Sequence, residues 1–208
     1  MMKKILLCLL LSLGLMGIKL QAQDFGGGLM AGLVGSQVFG DPSSGYNKLG
    51  SYVGIFANRQ FTVKSAAELQ MYYIQKGARE NPTDENGNFQ YLLRINMIEI
   101  PVLYKYTINQ KLLLSGGLAY SYIIGTPYEE ANYSSSLSSA TWNQHGASFL
   151  LGIEYRLTER LTAIFKTNNS ITPIREHVSG EKRLFNRGQY SDALQIGLSI
   201  NLFQQQIK

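Results

Sequence analysis

The sequence INMIEIPVLYKY, residues 95–106, alternates between two kinds of side chain. Ile98, Val102 and the residues at every second position around them are apolar, whereas Glu99 and Lys105 are charged and occupy the positions between them. A period of two predicts a β-strand with two unlike faces. If the charged face met lipid, each charge near the bilayer midplane would cost up to about 2–4 kcal/mol, less for acids. The pattern therefore favours a membrane strand whose charges point into an interior.

Pro101 interrupts this predicted strand near its middle. Proline has no N–H to donate to a neighbouring strand, and a closed barrel has no edge strand to accommodate it. We expect a β-bulge or a bend of the wall at Pro101.

Seven further segments resemble strands, and their connections alternate in length. Short polar turns lie at residues 59–60, 107–110 and 158–160, and long turn-rich loops at 39–48, 77–89, 126–145 and 175–189. The eight predicted strands are 25–38, 49–59, 62–76, 90–106, 111–125, 146–157, 161–174 and 190–203. This wiring predicts an all-β fold, an eight-stranded antiparallel up-and-down transmembrane β-barrel with short periplasmic turns and long extracellular loops. The abundance of glycine (21) and tyrosine (13) also favours β structure over helix.

The chain begins with the features of a secretory signal peptide. Lys3 and Lys4 precede an apolar run at 5–18, and Ala22 supplies a small residue before the expected cut. Residues 1–22 are the predicted signal peptide and residues 23–208 the barrel domain. An uncleaved anchor is the less favoured alternative, because a spanning helix needs roughly 20 apolar residues.

The composition of the mature chain excludes some chemistries. The one cysteine, Cys8, lies in the signal peptide, so no disulfide framework or thiol chemistry is expected. Removing the three lysines of that segment leaves 16 of the 19 basic residues against 14 acidic ones. A net charge of +2 gives no indication of nucleic-acid binding, and we expect none.

Charged residues at the inward positions of the predicted strands carry both signs, so they can pair across the interior. These predicted interior charges are Glu68, Lys76, Glu99, Lys105, Glu154, Arg156 and Lys166. A second group of basic residues lies in the fourth long loop: Arg175, Lys182, Arg183 and Arg187. It could recognise lipopolysaccharide phosphates by charge-assisted hydrogen bonds, or could simply be a solvated loop.

The sequence offers little sign of catalysis. His145 and His177 are the two histidines, and Ser148, Asp192 or the serines of 134–139 could partner them. No G-x-S-x-G motif supports a nucleophile, so no catalytic residue is predicted. No Cys/His set has metal-ligand spacing, and no metal or cofactor is predicted. The triplet Gly26–Gly28 precedes no helix, so we expect it to permit curvature or close packing of a strand.

Four segments resemble the PorT-like family of outer-membrane barrels of Gram-negative bacteria: AELQMYYIQKGAR (67–79), MIEIPVLYKY (97–106), LLLSGGLAYSYIIG (112–125) and GLSINLF (197–203). The resemblance extends along nearly the whole mature chain. It implies an eight-stranded barrel in the cell outer membrane, in contact with outer-membrane lipid and lipopolysaccharide. Phe203 resembles the C-terminal aromatic residue that the barrel-assembly machinery reads, although QQQIK follows it here. One family member serves type IX protein secretion.

We therefore expect a non-enzymatic outer-membrane barrel with a structural or recognition role through its extracellular loops. An eight-stranded wall leaves an interior just filled by side chains, too narrow for a general porin. One alternative is an accessory of a protein-secretion machinery, which would contact other envelope or secretion proteins. The others are a lipid-modifying outer-membrane enzyme and a soluble periplasmic barrel that binds an apolar ligand.

Overall fold

A computed structural model describes residues 25–132, 141–175 and 188–203. The predicted signal peptide lies outside these residues. Nine strands are present in the described part: β1 (Gly26–Phe39), β2 (Lys48–Gln60), β3 (Ser65–Glu80), β4 (Tyr91–Thr107), β5 (Leu112–Ile123), β6 (Tyr128–Ala131), β7 (His145–Arg156), β8 (Leu161–Ser170) and β9 (Tyr190–Phe203). Across the same ranges, no helix has the length and apolar character needed to cross a membrane.

Eight of these strands form a closed antiparallel ring. Each pairs with its neighbour in the order β1, β2, β3, β4, β5, β7, β8, β9, and β9 pairs back with β1. The predicted eight-stranded up-and-down barrel is confirmed. The short β6 was not predicted; it pairs with Tyr91–Arg94 at the start of β4, above the ring.

The two faces of the wall differ as the period-two pattern predicts. On β4, Val102 points outward and is 59% exposed, whereas Leu103 is 1% exposed and points inward. The outward face carries large apolar side chains all around the ring, among them Leu29, Leu33, Ile55, Leu69, Leu118, Leu151 and Ile196. A soluble barrel would have the opposite distribution, because its apolar side chains would fill the interior.

Pro101 causes no register shift, so of the predicted bulge or bend, the bulge is wrong. Leu69 pairs with Val102 and Tyr72 pairs with Glu99, which is the same register on both sides of the proline. The two pairs between them, opposite Pro101 and Ile100, are missing from the β3–β4 ladder. On its other side Pro101 remains in register with Ala119 of β5. The wall thus accommodates the missing N–H by leaving a short gap in one ladder.

The register shift of the ring lies instead at Gly27 and Gly28, between β1 and β9. A Cβ atom on Gly28 would collide with the carbonyl oxygen of Ile200, so this backbone approach requires glycine. On β9, a Cβ atom at Gly197 would collide with the hydroxyl of Tyr52. The glycines of β1 and β9 therefore permit the close packing expected of the triplet.

Candidate functional site

Ion pairs occupy the periplasmic half of the barrel interior. Lys105 of β4 places its Nζ 2.6 Å from Oε2 of Glu68 on β3 and 2.8 Å from Oε2 of Glu154 on β7. All three side chains are buried. Lys166 of β8 lies in the same region and donates a hydrogen bond from Nζ to Oε1 of Gln70, 2.9 Å away. These contacts join four strands across the interior.

A second network crosses the middle of the barrel. Nζ of Lys76 lies 2.7 Å from Oε1 of Glu99 and 2.9 Å from Oδ1 of Asn168. Asn168 in turn donates from Nδ2 to Oε2 of Glu99 at 2.6 Å, and the hydroxyl of Tyr72 donates to the same oxygen at 3.0 Å. Every member is buried, so the mutual hydrogen bonds offset the cost of removing the charges from water.

Apolar side chains fill the interior towards its extracellular end. Ile74, Leu93 and Ile95 are fully buried there. They pack in one cluster with further buried residues from several strands: Met30, Val34, Val38, Ala78, Met97, Ile123, Ile174 and Ala193. A closely packed apolar region has no room for a continuous column of water.

Arg175 closes the extracellular end of the barrel. Its guanidinium binds Glu129 through two nitrogens, Nη1 to Oε2 at 2.7 Å and Nη2 to Oε1 at 2.6 Å. It also lies 4.3 Å from the centre of the Trp142 ring and 3.3 Å from the hydroxyl of Tyr91. Nε donates to Oε1 of Gln189. We call these five residues the extracellular cap.

The cap joins the first, third and fourth extracellular connections to one another and to the start of β4. Gln189 donates from Nε2 to the carbonyl oxygen of Gly40 at 2.7 Å, which ties the first loop to the fourth. Next to Gly40, burial raises the pKa of Asp41 from 3.8 to about 7, although hydrogen bonds from Ser43 and the charge of Arg175 oppose the change. Burial, followed by the hydrogen bond to Glu129, also raises the pKa of Tyr91.

The structure places six of the predicted interior charges in the two buried networks: Glu68, Lys76, Glu99, Lys105, Glu154 and Lys166. Arg156 lies lower, at the periplasmic mouth, where its Nη1 is 3.4 Å from the carbonyl oxygen of Gln110. A polar cavity of about 680 Å³ opens at this end, and Glu68, Lys105 and Glu154 line it.

The interpretation of Arg175 as a residue for loop recognition needs correction. It is 1% exposed, and its nitrogens bind Glu129 and Gln189, so it does not present a free charge to the surface. Lys182, Arg183 and Arg187 lie outside the described residues, as does His177. No pattern in the sequence points to Glu129 or Gln189, which look like ordinary polar loop residues, whereas Gln70 and Asn168 lie at inward positions of the alternating pattern.

His145 is not placed for catalysis with the partners considered. It points outward at the start of β7, and its Nδ1 lies 2.6 Å from the hydroxyl of Tyr120. Ser148 and Asp192 are buried and point inward. The serines of 134–139 are outside the described residues. Within the part of the chain that the structure describes, no group of three or more His, Cys, Asp or Glu residues could hold a metal ion.

A closed antiparallel barrel with an apolar outer face and a charged interior is the architecture of an integral outer-membrane protein. Residues 21–176, about three quarters of the chain, match the family model of the outer membrane protein beta-barrel domain. The chain belongs to this family, and the predicted outer-membrane location is confirmed.

Several solved structures are similar to this chain at low identity. The attachment invasion locus protein Ail of Yersinia pestis has a TM-score of 0.48 and 10% identity, over 86% of this chain and 99% of that one. Neisserial surface protein A has a TM-score of 0.49 and 13% identity, over 85% and 96%. OprG from Pseudomonas aeruginosa has a TM-score of 0.39 and 16% identity, over 86% and 95%. The comparison with curated proteins gives no match.

Proposed function

We propose that this protein is a closed, non-enzymatic outer-membrane barrel that acts through its extracellular surface, in a structural or recognition role. The observation that carries the proposal is the network of Lys76, Glu99 and Asn168. It links β3 and β4 with β8, and β3 and β8 are diametrically opposite in the ring. Because these groups satisfy each other at the centre of the barrel, opening a pathway would require breaking buried ion pairs.

Two further layers support a closed interior. The apolar cluster around Leu93 and Ile95 lies above the network, and the extracellular cap around Arg175 lies above that cluster. The ion-paired side chains of Glu68, Lys105 and Glu154 line the cavity at the periplasmic end. A substrate path through the barrel would have to cross all of these layers.

Conductance across planar bilayers tests the closed state. The purified barrel, shown to be folded by heat-dependent gel mobility, is expected to give no steady ion current. A matched variant with Lys76→Gly, Leu93→Gly and Ile95→Gly removes three inward side chains from neighbouring strands and is expected to conduct. A steady current through the unaltered protein would overturn the proposal.

The PorT-like resemblance favours a second candidate function, an accessory role in protein export. Its most characteristic segment, 97–106, forms the lipid-spanning part of β4. Residues in this part of the wall serve folding and lipid contact. Their resemblance to the family therefore supports the export role less directly than a resemblance in the loops would. Co-purification with envelope or secretion proteins would support this candidate, and normal secretion in a strain without the gene would exclude it. In either role, assembly into the membrane would depend on the barrel-assembly machinery.

A further inference from the structure

Three basic residues lie close together near the extracellular ends of β2, β3 and β4, two of them arginines on the outer wall. They are Lys48, Arg79 and Arg94, which we call the outer basic cluster. Arg94 pairs in register with Gly77, which has no side chain, and Arg79 pairs with Leu92 two residues further along. Both arginines are exposed, whereas Lys48 is buried and its Nζ also donates to the carbonyl oxygen of Leu49 at 2.6 Å. The two guanidinium groups thus occupy neighbouring positions on one outward-facing surface.

Along the membrane normal, the outer basic cluster lies at the level of the lipid headgroups. A strand that rises about 3.4 Å per residue and tilts by about 40° gains about 2.6 Å per residue along the membrane normal. An apolar band about 25 Å tall therefore spans about 10 residues. Counted from the exposed aromatic residue Tyr106 at the periplasmic end of β4, the band ends near Asn96. Arg94 then lies about 5 Å above the hydrocarbon, within the headgroup layer.

The outward face becomes polar at that height. The hydroxyl of Tyr73 and Nε2 of Gln75 donate to Oδ1 of Asn96, at 2.9 and 3.1 Å. Lys48 donates from Nζ to Oε1 of Gln75 at 3.3 Å. These hydrogen bonds form a polar shelf across β2, β3 and β4, directly below the two arginines. The shelf also holds the lysine ammonium close to the arginine side chains.

The cluster carries positive charge that the described residues do not neutralise. No carboxylate in those residues forms an ion pair with Lys48, Arg79 or Arg94. The guanidinium of Arg94 lies 5.9 Å from the centre of the Tyr128 ring, while the Tyr128 hydroxyl donates to exposed Glu130 at 2.6 Å. Burial, followed by the charges of Arg94 and Arg79, lowers the pKa of Lys48. An anion at this position would relieve that repulsion.

We propose that the outer basic cluster binds the phosphate groups of outer-leaflet lipid headgroups, as in lipopolysaccharide. A phosphate offers several acceptor oxygens, and the two exposed guanidinium groups can each donate charge-assisted hydrogen bonds to it, while the buried ammonium of Lys48 adds positive charge beside them. The acyl chains of the same lipid would lie on the apolar face below, beside Ile98 and Met71. The site lies on the wall, separate from the basic residues of the fourth loop.

Native mass spectrometry of the detergent-solubilised barrel tests this site, with diphosphorylated lipid A as the probe and its enzymatically dephosphorylated form as the comparison. The test variant carries Lys48→Gln, Arg79→Gln and Arg94→Gln. The control variant carries Lys64→Gln, Lys111→Gln and Arg160→Gln, which removes the same charge from exposed residues at the periplasmic turns. Heat-dependent gel mobility shows which variants are folded.

We expect the unaltered barrel and the control variant to bind the diphosphorylated lipid with similar affinity. The test variant should bind it at least about 25-fold more weakly, since each of the two exposed arginines near an anionic lipid surface contributes about fivefold. If the triple variant fails to fold, the single changes Arg79→Gln and Arg94→Gln should each weaken binding by about that factor. Equal binding of the dephosphorylated lipid, or an equal loss in the control variant, would overturn the proposal. Because this readout involves no ion current, its failure is distinct from failure of the closed-barrel proposal.

Discussion

Arg175 shows how the environment of one residue changes its role. In the sequence it belongs to a basic loop segment, and its neighbours 176–187 lie outside the described residues. In the structure it binds Glu129, which is 46 positions earlier in the chain. A guanidinium that binds a carboxylate through two parallel hydrogen bonds contributes geometric specificity as well as energy. Arg175 therefore positions the extracellular loops and does not face solvent.

The buried carboxyl group of Asp41, in the first extracellular loop beside the cap, makes the stability of that loop depend on pH. Because burial raises its pKa to about 7, the folded loop holds a proton that an unfolded loop would release near its ordinary value of 3.8. This stabilisation is complete below about pH 4 and is lost as pH rises through about 7. We expect amide hydrogen exchange at Ile174 and Gln189, corrected for intrinsic rates, to be slower at pH 5.5 than at pH 8.

The variant Asp41→Asn should remove most of this difference, because the amide keeps an acceptor for Ser43 but does not titrate in this range. Asp84→Asn, in an exposed turn of another extracellular loop, is the matched control and should leave the difference intact. Equal pH dependence in the Asp41 variant and the unaltered protein would assign the effect to another group.

Among the strands, β4 shows which features of an element follow from its sequence. The prediction of 90–106 agrees closely with the observed Tyr91–Thr107. The predicted bulge at Pro101 was wrong because proline removes only a hydrogen-bond donor, and a gap in the ladder satisfies that constraint without a register shift. The third predicted strand, 62–76, ends before the observed end of β3 at Glu80. In the sequence Gly77 resembles the start of a turn, but in the structure it pairs with Arg94 and the strand continues.

The lipid-facing assignment of β4 predicts the effect of a charge on that strand. Val102→Arg places a guanidinium in the apolar band and should lower the free energy of unfolding from lipid vesicles by about 2–4 kcal/mol. Leu49→Arg changes an exposed outward residue near the extracellular end of β2, where the cost should be about 0–1 kcal/mol. Urea titration in vesicles measures both values. Equal costs at the two positions would contradict the assigned depth of Val102.

At the scale of the whole molecule, the buried network of Lys76, Glu99 and Asn168 joins opposite walls of the barrel. Removing one partner leaves an uncompensated buried charge, so Lys76→Met or Glu99→Gln alone should lower the free energy of unfolding by about 3–5 kcal/mol. The double variant should lose much less than the sum of the two, because it leaves neither charge buried alone. A double-mutant cycle by urea titration in vesicles checks this. Additive losses would show that the two residues act independently.

The arrangement of strands and faces could be predicted because it follows from local patterns. Lipid penalises an outward charge at each position regardless of that residue's partners, so alternation along β4 or β9 is enough to assign inward and outward faces. Loop lengths then imply the up-and-down order of the strands. The four residues of β6 were missed, because so short a segment has no period to recognise and depends on pairing with the start of β4.

The partners of the charged residues could not be predicted in this way, because they depend on ring closure and register. Lys76 contacts Asn168, 92 positions later in the chain, and Lys48 meets Gln75 across two paired strands. The first contact arises only when the wall closes and brings opposite strands within hydrogen-bond distance, and the second depends on how β2 and β3 pair. The sequence alone therefore specifies a barrel with an apolar outside and a charged inside. Which charges pair, which loop residue closes the extracellular end and where unneutralised positive charge meets the lipid are decided by the tertiary structure.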